Sequence, residues 1–403
     1  MSYCTATYRL HDPKADFHKK AESIAVGLTV GSWTELPQAK RTAMQKHLGQ
    51  VLHVDVHEDL SDANRYADIT IAYPDVNFSR DIPALLVTLF GKISMDGRIK
   101  LIKLGFSESF LSAFPGPKFG IEGIRQQLDV HNRPLLMSIF KSVIGLNLDE
   151  LREQFTLQAL GGVDLIKDDE ILFENELTPI EKRVEICARA AEEASKETGK
   201  KLLYATNLTG RTSNLKQQAL RAIDAGANAL LFNVLSYGYD VLHELSSDPE
   251  ITVPIAAHPA LAGAMYPSPH YGISASVLLG QLMRLAGADL VLFPSPYGSV
   301  TMPRDENLAI RDELISSDLA IKTSMPVPSA GIHPGLVPVI LQDFGMDVVV
   351  NAGGGIHGHP MGTAAGGRAF LQAIDAATHN IPLSDYAHSF PELQTALNIW
   401  GGK

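Results

Sequence analysis

The stretch GGVDLIKDDE, Gly161 to Glu170, decides how the rest of the chain is read. Its paired glycines allow a tight turn, its short apolar run reads as a buried strand, and the strand ends in Lys167, Asp168, Asp169 and Glu170. Four ionisable groups at one strand end are costly unless water or a cation compensates them. Strand side chains alternate between faces, so Lys167 and Asp169 point the same way, and Glu170 joins them where the strand turns into a loop. Two carboxylates with a third oxygen ligand suit a hard cation such as Mg²⁺. A lysine ammonium is no ligand; its neutral amine becomes one by adding CO₂ to give a carbamate, N6-carboxylysine. On a generic α/β chain the plainer reading of the same string is a solvated acidic loop.

Outward from this point the chain repeats one grammar. Strand-like runs at Leu135 to Phe140, Val163 to Ile166, Leu202 to Ala205, Ala229 to Phe232, Val253 to Ala257, Leu290 to Phe293, Val327 to Ser329 and Val348 to Val350 alternate with helical ones. The helices include Leu148 to Leu160, Pro179 to Thr198, Ser213 to Ala225, Ser274 to Leu285 and Asn307 to Ile315. Eight such units predict a (β/α)₈ TIM barrel over residues 121–403. A doubly wound open sheet is the alternative, but no GxGxxG opens the first unit. Before the Pro/Gly stretch FPGPKFG (Phe114 to Gly120) the order differs. Strands at Ala6 to Leu10, Val51 to Val56, Asp68 to Tyr73 and Ile99 to Phe106, with helices at Ala15 to Leu28 and Ile82 to Phe90, give βαββαβ, a ferredoxin-like α+β domain over residues 1–120.

Barrel chemistry sits at the C-terminal strand ends. Besides the acidic cluster, Lys141, Asn207, Asn233, His258, Ser295, Ser329 and the glycine runs of PSAGIHPG (Pro328 to Gly335) and NAGGGIHGHPMG (Asn351 to Gly362) fall there. Bare amides after the last two barrel strands commonly hold phosphate, although lone glycine runs are also ordinary tight turns. His258 on the same rim suits substrate hydrogen bonding or proton handling, where an isolated histidine would be packing. Lys141 can bind a phosphate or carbonyl oxygen or simply snorkel to solvent. His333, His357 and His359 read as structural. Lys92, in LFGKIS, looks like an ordinary helix-end lysine.

With 403 residues, 45% of them apolar, the chain suits one barrel and one smaller domain. A net charge of −11 argues against nucleic-acid and anionic-membrane partners. Cys4 and Cys187 form no CxxC, no signal core opens the chain and no apolar run approaches spanning length, so a cytoplasmic protein is expected.

GGVDLIKDDEILFE, VTLFGKIS, RPLLMSIFK, LYATNLTGRT, AAHPALAGA, VPSAGIHPGLVP and NAGGGIHGHP together resemble the RuBisCO superfamily, and GLTVGSWTELP (Gly27 to Pro37), IAYPDVNFS and the terminal NIWG extend the likeness over nearly the whole chain. The departures are informative. The loop after the sixth barrel strand, PSPYGSV, has no lysine, while Leu292 and Pro259 stand where RuBisCO has a histidine and a phosphate-gripping arginine. The chain thus looks like a RuBisCO-like protein of bacterial methionine salvage, for which the resemblance implies keto–enol tautomerisation of a phosphorylated 2,3-diketone with a methylthio tail. It further implies one Mg²⁺ per subunit on carbamylated Lys167, Asp169 and Glu170, with Lys92 as the catalytic base, its pKa depressed by burial and nearby cations. Lys141, the whole run Lys167, Asp168, Asp169 and Glu170, His258, Gly331, Gly353 and Gly354 would bind substrate. The site would lie between the barrel of one subunit and the small domain of another, making a homodimer. The rivals are a RuBisCO-like isomerase of a related sulfur-containing sugar phosphate and a barrel that binds without catalysing.

Overall fold

Period-two burial builds the first sheet. In the computed structural model, which describes residues 2–31, 37–58, 65–298 and 300–401, β1 (Tyr3–His11) alternates half-buried and buried residues along its length. It is central, pairing antiparallel with β3 (Tyr66–Pro74) on one side and β4 (Arg98–Gly105) on the other. β2 (Gln50–His57) lies beyond β3, which gives the order 4-1-3-2 of a ferredoxin-like unit. Part of GLTVGSWTELP and Ser299 of PSPYGSV fall outside the described residues. The helix expected from Ile82 to Phe90 starts at an Asp81 cap, runs Ile82–Leu86, and continues as a π-helical turn over Val87–Gly91. Lys92 follows at once. Such turns in helices recur at functional sites.

The barrel strands are β5 (Leu135–Ile139), β6 (Leu165–Lys167), β7 (Leu203–Leu208), β8 (Ala229–Phe232), β9 (Ile255–Ala257), β11 (Leu290–Pro294), β12 (Met325–Ser329) and β13 (Val349–Ala352). All eight expected strands are present and parallel, in the order β12-β11-β9-β8-β7-β6-β5-β13. β12 and β13 lie side by side, bridged by Asn351 Nδ2 donating to Ser329 Oγ at 2.8 Å, so the sheet comes round on itself as a nearly closed barrel. Every second side chain along each strand fills its interior, among them Leu135, Met137, Leu165, Leu203, Ala205, Leu231, Leu290, Leu292, Met325, Val327 and Val349.

Local chemistry sets the entry to β6. The helix Leu148–Leu160 starts from a capping box between Asn147 and Glu150. It ends at Gly161–Gly162, where Gly162 takes φ +77° and a Cβ on Gly161 would lie 3.1 Å from the Gly367 Cα of the helix Thr363–Thr378. Two bare residues here let one helix stop and another pass close by.

Contacts divide the chain into Met1–Pro115 with Leu261–Leu282, and Gly116–Ala260 with Met283–Lys403. The segment after β9 thus belongs to the first unit. Its strand β10 (Gly272–Ile273) pairs parallel with β4 at Lys100 and Leu101. Lys100, 8% exposed, donates to Tyr266 O and Ser268 O at 2.7 Å each, tying the segment down. Among the described residues no helix is long and apolar enough to cross a membrane.

Candidate active site

The strand ends of the second unit enclose a cavity of about 510 Å³. Its lining includes Lys141, Lys167, Glu170, His258, Gly331, Gly353 and Gly354, which come from β5, β6, β9, β12 and β13 and their loops. A larger depression on other helices, near Leu341, Ile381 and Leu383, has no lysine, arginine or carboxylate in its lining. The smaller one is lined by two lysines, a carboxylate and two histidines.

At the β6 end the alternation rule has two outcomes. Lys167 points inward and is 1% exposed, its Nζ donating to Asp168 O at 2.8 Å and to Glu170 Oε2 at 3.3 Å. Asp169 accepts from Lys141 Nζ at 3.0 Å. Asp168, expected among the substrate-binding residues, points the other way and is not in the cavity lining. It is fully buried, accepting from Tyr204 Oη at 2.6 Å, Thr206 Oγ1 at 3.1 Å and Asn207 N at 2.8 Å, with Arg183 Nη2 at 3.2 Å. No polar atom of this carboxylate is left to face the cavity.

Glu170 is held from behind: its carbonyl accepts from Asn207 Nδ2 at 3.0 Å and Asn233 Nδ2 at 3.2 Å. Its carboxylate also meets His258 Nε2 at 3.4 Å. Burial opposes ionisation of Glu170, but the Lys167 charge beside it outweighs burial and holds the carboxyl well below its ordinary range. For Lys167 the balance reverses. Burial pulls it below the ordinary lysine value against the attraction of Glu170 and Asp169. His258 is lowered by burial and by Lys167, so its imidazole is neutral at pH 7.

Across the cavity are the glycine turns. Gly331 takes φ +67°, and a Cβ on Gly354 would meet nothing within 4 Å, so both present bare backbone. Among the described residues no backbone carbonyl receives the N–H of Gly331, Gly353 or Gly354. Gly353 lies against the Lys141 stem, its Cβ position 3.1 Å from Cε. His357 bonds Ile139 O at 2.8 Å and His359 bonds Glu392 O at 2.9 Å. His333 instead lines the cavity and stacks on Trp400, ring centroids 6.3 Å apart. Trp400 and Asn351 also line it and were missed; each stands inside a recognised string, NIWG and NAGGGIHGHP, but neither residue type announces a cavity there. Leu292, 2% exposed, supplies apolar wall.

Lys92 is not among these lining residues. It belongs to the first unit, where it is exposed and lines a shallow hollow with Lys20, Met95 and Asp96. The burial expected of it is not provided by its own unit.

Among the described residues no three His, Cys, Asp or Glu side chains converge as a metal site. The donor set fits a hard cation once Lys167 is counted. Its buried, destabilised ammonium lies beside Glu170, and conversion to a carbamate would replace that cation with a third anionic oxygen donor next to Asp169 and Glu170.

Comparison with known proteins agrees with this geometry. Residues 120–400 match the ribulose bisphosphate carboxylase large chain, catalytic domain, and residues 4–106 its N-terminal domain. A protein of Bacillus licheniformis named 2,3-diketo-5-methylthiopentyl-1-phosphate enolase is 55% identical over 100% of this chain and 98% of its own length. A protein of the same name from Bacillus velezensis is 56% identical over 100% and 99%. The crystal structure of a rubisco-like protein from Alicyclobacillus acidocaldarius superposes with a TM-score of 0.94 at 50% identity, covering 99% of each chain. A ribulose-1,5-bisphosphate carboxylase/oxygenase from Pyrococcus horikoshii superposes at 0.91 with 28% identity, covering 99% of this chain and 95% of its own. With both RuBisCO large-chain domains matched in order and full-length relatives above half identity, the chain belongs to the RuBisCO large-chain superfamily, in its 2,3-diketo-5-methylthiopentyl-1-phosphate enolase family.

Proposed function

We propose that the protein is a keto–enol tautomerase of methionine salvage, converting 2,3-diketo-5-methylthiopentyl-1-phosphate to 2-hydroxy-3-keto-5-methylthiopentenyl-1-phosphate. The observation that carries this reading is the cavity itself: one end gathers Lys141, Lys167, Glu170 and His258, and the other presents the bare amides of Gly331, Gly353 and Gly354. That spacing of polar ends suits a small molecule with oxygens to polarise and a single phosphate. The apolar Leu292, where RuBisCO has a histidine, suits an uncharged tail over a second phosphate.

Carbamylated Lys167, Asp169 and Glu170 would hold Mg²⁺, which supplies Lewis-acid polarisation of the diketone oxygens when bound. Lys141 Nζ, already charge-paired to Asp169, is positioned to donate to a substrate oxygen. His258, neutral and anchored by accepting Ala260 N at 3.2 Å on Nδ1, keeps Nε2 as a donor. The glycine N–H groups would take the phosphate, fixing C1 relative to the base. Lys92 removes the C1 proton in this reading. Since its own unit leaves it exposed, we assign it to the barrel of a second copy, whose contact would bury it. A homodimer is then the functional minimum. Two buried free thiols suit a reducing cytoplasm.

Solvent-deuterium incorporation at C1 of 2,3-diketohexane 1-phosphate tests the assignment. Exchange that requires Mg²⁺ and bicarbonate and vanishes in Lys92→Ala is expected. Absence of exchange under every condition refutes the enolase. Full exchange in Lys92→Ala removes that residue as the base, and mass spectrometry showing bare Lys167 with bicarbonate present refutes the carbamate.

A further inference from the structure

The loop after β11 is fastened more firmly than a connecting loop needs to be. Tyr297 donates its hydroxyl to Asp343, a carboxylate 2% exposed on the helix Val337–Phe344. Arg304, first residue of the helix Arg304–Ile315, donates to the same carboxylate through Nε at 3.0 Å and also through Nη2, and Arg311 bonds the Asp343 carbonyl. Burial and Asp343 push the Tyr297 phenol up, so it remains a donor at any working pH.

What this fastening presses on is the turn after β12. Ser295 N donates to Ser329 O at 2.8 Å and Ser295 Oγ to Ala330 O at 3.2 Å. Gly298 packs so closely that a Cβ would fall 1.8 Å from Ala330 O and 2.9 Å from Gly331 Cα. Ala330 takes φ +75° and Gly331 follows at +67°. An alanine in the left-handed region is strained and persists only where its surroundings impose it. Here the surroundings are the backbone of the 295–298 segment, which Tyr297 anchors.

We propose that Tyr297 is a positioning residue for phosphate binding: through Asp343 it holds Gly298 and Ser295 against Ala330, and so keeps the strained Ala330–Gly331 turn in the shape that directs Gly331 into the cavity. This rests on the reading that Gly331 takes the substrate phosphate. The chemical end of the site, on β5, β6 and β9, is built from other strands. Loss of the latch therefore acts on binding of the phosphate group and leaves the proton-transfer step largely alone.

The test is steady-state kinetics on the full-length enzyme with 2,3-diketohexane 1-phosphate, using inorganic phosphate as competitor. Tyr297→Phe should raise both KM and the phosphate inhibition constant by about fivefold or more, the factor corresponding to about 1 kcal/mol. Turnover at saturation should change less than about twofold. Ala330→Gly added to Tyr297→Phe should restore much of both constants, because glycine holds a left-handed φ without a latch. A merely structural tyrosine would not be rescued at a residue it does not touch. If Tyr297→Phe does not fold, Ser295→Ala removes the contact to Ala330 O and carries the same expectation. Phosphate that competes equally well in wild type and variant overturns the latch alone. Phosphate that fails to compete in the wild type overturns the phosphate reading of Gly331, and the latch with it.

Discussion

Replacing Arg183 with leucine should destabilise the protein far more than a change outside the cavity would suggest. Arg183 and Asp168 are both fully buried behind the Lys167–Glu170 loop, and Nη2 lies 3.2 Å from Asp168 Oδ2. Without the guanidinium the carboxylate keeps its bonds from Tyr204, Thr206 and Asn207 but loses its counter-charge. Leaving one member of a buried pair alone costs about 3–5 kcal/mol. The lost bond from Arg183 Nη1 to Thr178 O, 2.9 Å long, adds about 1 kcal/mol. Asp168→Asn should cost a comparable amount by stranding the arginine. The double variant Asp168→Asn/Arg183→Leu strands neither charge, so its cost should fall below the sum of the singles by about 2–3 kcal/mol. Urea unfolding followed by circular dichroism reads all three. Because this pair fixes which way the β6 exit alternates, Mg²⁺ with bicarbonate should also raise the melting temperature of wild type but not of Asp168→Asn. A loss below about 1 kcal/mol in Arg183→Leu, or strictly additive costs, would refute the claim that these groups act as a buried ion pair.

Three further outcomes follow from single environments. Gly354→Ala should leave thermal stability within about 0.5 kcal/mol, since its Cβ meets nothing within 4 Å, while raising KM about tenfold by intruding on the phosphate; an unchanged KM would place the phosphate elsewhere. His11 is lowered to about 4 by burial, His270, Arg98 and Arg9, against the opposing charge of Asp68. Its unfolded value is about 6.5, so the unfolded chain takes up the proton first. The stability it contributes is complete above pH 6.5 and is lost as pH falls toward 4, and the stability gap between wild type and His11→Gln should shrink over that window; a gap constant with pH would contradict this. Cys4, pushed up to about 12 by burial, and Cys187, whose thiol is raised by the same cause, should resist thiol reagents in the native state; rapid labelling of either would show that its burial is not maintained.

The barrel was legible because parallel strands buried on both faces leave continuous apolar runs, and each run ends where a polar residue begins. That rule located Lys141, Lys167, His258 and both glycine turns without knowledge of any partner in space. Asp168 shows where it stops. Alternation already set it opposite Lys167 and Asp169, yet a run of four charges invites being read as one group, and only the wall of Tyr204, Thr206 and Arg183 reveals the other face. The Tyr297–Asp343–Arg304 contacts join residues far apart in the chain and leave no local pattern. Lys92 had no signature beyond resemblance, because an exposed helix-end lysine looks the same whatever it does.

The pairing of Gly272–Ile273 with β4 bears on how the chain is made. During synthesis the first sheet emerges early, but the strand that covers its β4 edge, and the carbonyls that take the Lys100 ammonium, arrive only after β5 to β9 have been translated. Until then the nascent sheet carries an open edge, the feature by which strands recruit wrong partners. A fragment ending at residue 120 would keep that edge permanently, so it should aggregate where the whole chain does not, and supplying residues 261–282 as a peptide should relieve it.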